Sequence, residues 1–228
     1  MRPFRLRLPA LLRPRSARAR AVSLFVIRAT VRHETAALIV AGWLALGVAV
    51  TLAGFGGALL RGQMLLGPPT PASLSPAIVL CFFTLVGLRL SASYPAHLQA
   101  NWLFRLAEAP ASADYASGVR VAALRLTVVP LLALLFGPSV WVWGLGTALL
   151  HTLFAAALAL LTIEWLFLGY RKIPFTCSYQ PGKANLRATW PLHAAIALVY
   201  CGVLPELEAW VLQRPVASLS LQGIPVSR

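Results

Sequence analysis

Few side chains in this sequence could do chemistry, and their spacing narrows what that chemistry is. There are six carboxylates (Glu34, Glu108, Asp114, Glu164, Glu206 and Glu208), four histidines and three cysteines. No two acids share a face within one apolar run, so paired-carboxylate acid–base work has no seat. Cys81, Cys177 and Cys201 are far apart and form no CxxC pair, which argues against a zinc site or a disulfide framework. Gly182-Lys183 invites a phosphate-loop reading, but Cys177 stands where the first glycine would be and Ala184 replaces the Ser/Thr. No catalytic residue, metal or cofactor is expected.

What remains are ionisable groups placed inside apolar runs. Such groups are costly in hydrocarbon and so become candidates by default. His151 falls near the middle of one run, where its ring needs a backbone carbonyl or a threonine on a neighbouring helix. Glu164 lies near the end of the same run. From Trp143 to Glu164 is about 30 Å of helix, and from Gly137 back to Arg120 about 25 Å. An antiparallel hairpin turning at Gly137-Pro138 would therefore bring Arg120 to Glu164 as a structural clasp.

Two polar stretches carry the remaining candidates. In Pro95 to Ala109, Leu98, Trp102 and Leu106 share one helical face, while His97, Asn101, Arg105 and Glu108 fall on the opposite arc. That pattern suits a helix lying flat on a membrane surface, with Asn101, Trp102, Arg105 and Glu108 as a candidate partner contact. Ala109-Pro110 ends it, and Ser112 or Asp114 can cap the next helix. The loop from Tyr170 to Asn185 holds Phe175, Cys177, Tyr179 and Lys183, more aromatic and polar groups than a plain connector needs. They read as a cytoplasmic gate, a partner contact or an interfacial anchor.

The elements that must position these groups follow from composition. The chain has 228 residues, 59% apolar and 11% charged, with a mean hydropathy of +0.76. Soluble domains carry about 25% charged residues, so an all-α, polytopic membrane bundle is expected. Met1 to Arg20, with seven arginines and no acid, reads as a basic disordered arm. Residues 21–35 form an interfacial amphipathic helix attracted to anionic lipid heads. Five spans follow at about 36–60, 74–92, 119–136, 143–168 and 190–212, and 214–228 is a short tail.

Ala37, Ala41, Ala45, Ala49, Ala53 and Gly57 recur every four residues in the first span and predict a packing seam. Gly144, Ala148, Thr152 and Ala156 make a second small-residue face. Either could carry a homo- or hetero-oligomer. Pro130 is an expected kink.

Lysine and arginine placement sets orientation. Nine lie before residue 34, four between Arg89 and Arg125, and four between Arg171 and Arg187. Only Arg61, Arg214 and Arg228 remain. The positive-inside rule then puts the N-terminus and both long loops in the cytoplasm, and the C-terminus outside. The net charge of +14 follows topology rather than an aromatic-interleaved binding face, so nucleic acid is not an expected partner. The lipid bilayer is.

In layout the chain resembles the membrane subunit of type-2 ATP-binding-cassette exporters. The resemblance rests on an amphipathic helix at Ala21 to Glu34 and a short helix between the second and third spans, His97 to Glu108. Such permeases usually have six spans and this chain has five. The resemblance implies a permease-like subunit in a bacterial inner membrane, served by a cytoplasmic ATPase that docks on Asn101, Arg105 and Glu108. Two other readings stand beside it. One is a structural or assembly subunit without a site of its own. The other is a membrane-embedded, lipid-modifying enzyme drawing on His97, Arg105, Glu108, Asp114 and Arg120.

Overall fold

The structure, a computed structural model, describes residue 14 and residues 16–63, 67–94, 113–168 and 195–213. Among these every regular element is a helix: α1 (Ala17–Arg32), α2 (Glu34–Leu60), α3 (Pro71–Ser91), α4 (Ala113–Ala123), α5 (Val129–Leu166) and α6 (Leu204–Gln213). Single π turns at Leu124–Val128 and Val199–Val203 lead into α5 and α6.

Helix α1 starts earlier than expected, so residues 17–20 do not belong to a disordered arm. Ser16 explains the start. Its Oγ accepts the Ala19 N–H at 3.0 Å, capping the helix, and donates to Asp114 Oδ1 at 2.7 Å. Asp114 thus ties α4 to α1. The inner face of α1 packs on α4, where Gly118 is essential to the approach. A Cβ there would lie 2.7 Å from the Ala19 carbonyl and from Val22. A single extended residue, His33, separates α1 from α2.

Among the described residues four helical stretches are long and apolar enough to cross a membrane: Glu34–Leu60, Pro71–Ser91, Asp114–Leu166 and Ala195–Leu212. The third has 53 residues, about 80 Å if straight, against a hydrocarbon core of about 30 Å. It is not straight. Arg120 Nη2 lies 2.8 Å from Glu164 Oε2, whereas a continuous helix would hold those residues about 66 Å apart. The reversal is at Gly144, with φ 79° and ψ 167°, the one residue of α5 with non-helical backbone angles. That conformation is essentially closed to residues with a Cβ.

The clasp expected from helix counting is therefore present, but the chain reverses at Gly144 rather than at Gly137-Pro138. Gly137 and Pro138 lie inside the 129–143 limb of α5. The proline costs that limb a hydrogen bond without turning it. Pro130 likewise opens α5 directly after a π turn, which takes up the local mismatch.

Helix α3 is the hub. In its most apolar stretch 72% of residues are buried, against 17% for α2 and 17% for the last helix. Helices α2, α5 and α6 all pack on it. A helix apolar on every side belongs in such a centre. Thr70 caps it in a reciprocal box with Ser73. Pro76 leaves the Ala72 carbonyl without its helical partner, and the Ser75 hydroxyl takes that carbonyl at 2.9 Å.

Trp43 of α2 fits the notch at Gly87, where a Cβ would be 2.8 Å from the tryptophan, and stacks on Phe83 at 6.0 Å. The buried stripe of α2 is thus Ala36, Gly47, Thr51 and Ala58. The expected alanine seam does not pack within the bundle: Ala41, Ala45, Ala49 and Ala53 are exposed. A bulky ring in a glycine notch, rather than small residue on small residue, sets this interface.

Candidate functional site

The polar centre of the bundle is a pair that sequence spacing did not join. His151 stands two turns beyond the reversal at Gly144, nearer the helix end than the middle position expected of it. Its Nδ1 is 2.8 Å from Oε1 of Glu208 on α6. The two side chains are each only 4% exposed. The partner is a carboxylate, not the carbonyl or threonine anticipated.

Three contacts hold the ring and the helix that bears the carboxylate. Trp143, the last residue before Gly144, meets the imidazole edge-on at 5.5 Å. Helix α6 is fixed through the segment before it: Tyr200 stacks on Phe82 at 4.4 Å and hydrogen-bonds Thr162 of α5. Glu208 Oε2 is buried with no hydrogen-bond partner among the described residues, as is Trp143 Nε1.

His151 also lines a cavity of about 790 Å³. It is lined by Thr51, Phe55 and Leu59 of α2, by Ser73, Pro76 and Ala77 of α3, and by Leu135, Pro138, Ser139, Val142 and Trp143 of α5. The size lies within the range of about 300–1,000 Å³ for ligand pockets. The lining is mainly apolar, and its hydroxyls donate to nearby backbone carbonyls, which leaves them only as acceptors. Thr51 donates to the Gly47 carbonyl, Ser139 to that of Leu135 and Ser73 to that of Thr70.

A carboxylate on Nδ1 orients an imidazole and leaves Nε2 as the nitrogen available to a ligand, as base or as donor. Nucleophilic catalysis would need an unengaged hydroxyl or thiol beside it, and the described lining supplies none. Among the described residues no group of three His, Cys, Asp or Glu could hold a metal ion.

No family model, curated protein or solved structure matches this chain.

Arg120 and Glu164 are joined, but their side chains are 35% and 56% exposed. An ion pair so open contributes about 0–1 kcal/mol, so it marks the hairpin register rather than a reaction centre. Asp114 is engaged with Ser16. Neither Asp114 nor Arg120 lines the cavity. Asn101, Trp102, Arg105 and Glu108, together with His97, lie outside the described residues, as do Phe175, Cys177, Tyr179 and Lys183.

Glu208 is the residue that sequence reasoning missed. Its signal was available: it is an acid inside an apolar run, between Leu207 and Ala209, the criterion that singled out Glu164.

Proposed function

We propose that the chain is a permease-like, membrane-spanning subunit of an exporter in a bacterial inner membrane. It crosses the bilayer five times, with the reversal at Gly144 separating the third and fourth crossings. The N-terminus and the arginine-rich loops lie in the cytoplasm. Energy comes from a separate ATPase, since the sequence carries no nucleotide loop. The observation that carries this reading is the cavity of about 790 Å³ among three membrane-length helices, beside a buried His151–Glu208 pair. A bundle serving only as a structural element gains nothing from a hollow or from burying an acid against a histidine.

The test is affinity purification of the full chain in mild detergent. An ATPase should co-purify, and Arg105→Glu should release it. Retention of the ATPase by that variant removes the docking proposal, and failure to recover any ATPase removes the exporter. Cysteines introduced at Arg5 and Lys183 should label from the same side of the membrane, and opposite labelling overturns the five-crossing topology.

The outward stripe of Ala41, Ala45, Ala49 and Ala53 favours a second reading, an assembly subunit whose α2 packs on another helix. Bulky substitutions along the stripe would then change the oligomeric state in detergent while leaving the monomer folded.

A further inference from the structure

We infer that the cavity between α2, α3 and α5 holds a single-chain neutral amphiphile. Its alkyl tail lies along the apolar walls and its hydroxyl head meets Nε2 of His151. The inference deepens the exporter reading by naming the class of cargo, and it rests on that reading only for the step of transport.

Three observations carry it. The first is shape and lining. The wall positions run from Thr51 to Leu59 on α2 and from Leu135 to Trp143 on α5, about 12 Å of helix on each side. That length accommodates an extended alkyl chain. With the hydroxyl hydrogens of Thr51, Ser73 and Ser139 given to backbone carbonyls, these three groups have no donor left for a ligand, and the rest of the walls is mainly hydrocarbon.

The second is the polar point. Among the described residues His151 is the one titratable group in the lining, and Glu208 occupies its Nδ1. A carboxylate accepting from Nδ1–H fixes the tautomer whose Nε2 lone pair accepts. That atom suits a hydroxyl donor. A ligand carboxylate or phosphate would instead bring a second negative charge beside Glu208, whose Oε2 already lacks a partner among the described residues.

The third is location. The outer sides of the cavity-bearing helices present Leu52 and Leu134 at 60% and 71% exposure. The surroundings from which the slot fills are therefore hydrocarbon, where long-chain alcohols concentrate.

The test uses the full chain in phosphatidylcholine nanodiscs, with tritiated decanol bearing a photoreactive diazirine as the probe and the matching decane as its control. Decanol labelling should be saturable, map to cavity residues and be displaced by unlabelled decanol at least about tenfold better than by decane. Val142→Trp should abolish it by filling the slot. His151→Phe should weaken decanol about fivefold to tenfold, the worth of one hydrogen bond, and leave decane unchanged. Equal displacement of the wild-type label by decanol and decane overturns the inference, and this readout does not depend on any variant folding. Labelling outside the cavity residues overturns it as well. Saturable decanol binding without an associated ATPase retires the exporter and leaves the ligand assignment standing.

Discussion

The Arg89 side chain closes the end of the helix that finishes at Leu166: its Nε donates to the Leu166 carbonyl at 3.0 Å. The guanidinium also reaches Ser93 Oγ at 2.9 Å and lies 5.9 Å from the centre of the Phe167 ring. The last carbonyls of a helix have no partner within it, and a cation suits that end. Arg89→Met should lower the unfolding midpoint in detergent by the equivalent of about 1.5–3 kcal/mol. Arg89→Lys should recover only part, because an ammonium cannot bond and stack as a planar fork does. An unchanged midpoint in the methionine variant would remove Arg89 from the forces that join α3 to α5.

Gly144→Ala tests the reversal. Its φ of 79° with ψ 167° belongs to a region where a Cβ costs about 1–3 kcal/mol, and space is not at issue, since no heavy atom would meet the added methyl. Cysteines at positions 120 and 164, in a chain whose native cysteines are alanine, should be bridged by a short bis-maleimide. Alanine at 144 should reduce that yield severalfold, and equal yields would show that the turn does not depend on glycine.

Gly118 and Gly146 form a matched pair of tests. A methyl at 118 would sit 2.7 Å from α1 atoms, whereas one at 146 meets nothing within 4 Å. Gly118→Ala should cost about 1–3 kcal/mol of stability through overpacking and expose α1 to protease. Gly146→Ala should be neutral or stabilising by up to about 1 kcal/mol. Similar behaviour of the two variants would contradict the tight α1–α4 contact.

Glu208→Ala strands His151 in the bundle. Breaking a buried pair on one side costs about 3–5 kcal/mol, while replacing both partners with apolar groups is often neutral. The double variant His151→Phe/Glu208→Leu should therefore melt well above Glu208→Ala. If the double variant is the less stable of the two, the pair contributes stability that burial of charge alone does not explain.

Much of the architecture was legible because a helix advances by a fixed rise per residue. Arg120 and Glu164 could be matched by counting, even though the turn was placed at Gly137-Pro138. Proline and glycine mark turns in soluble chains, but a helix in lipid tolerates proline where the lost bond is made good locally. Gly144, with no neighbouring proline, gave no such cue. The direction of the α2 alanine stripe was not legible either. Spacing identifies a face but not its neighbour, and the notch at Gly87 decided that Trp43 turns inward. His151 could be found alone, but its link to Glu208 crosses between two helices far apart in sequence, and no local period records that.

The π turn at Leu124–Val128 fixes rotational phase. One residue more than an α-helix would use is accommodated there, and each helical residue accounts for about 100° of rotation. Deleting a single residue from this turn would swing Arg120 and the α1-binding face of α4 about a quarter of the way round relative to the limb that bears Trp143. The clasp at one end of the bundle and the buried pair at the other would then fall out of step. The surplus residue is a keyway that lets both ends engage at once.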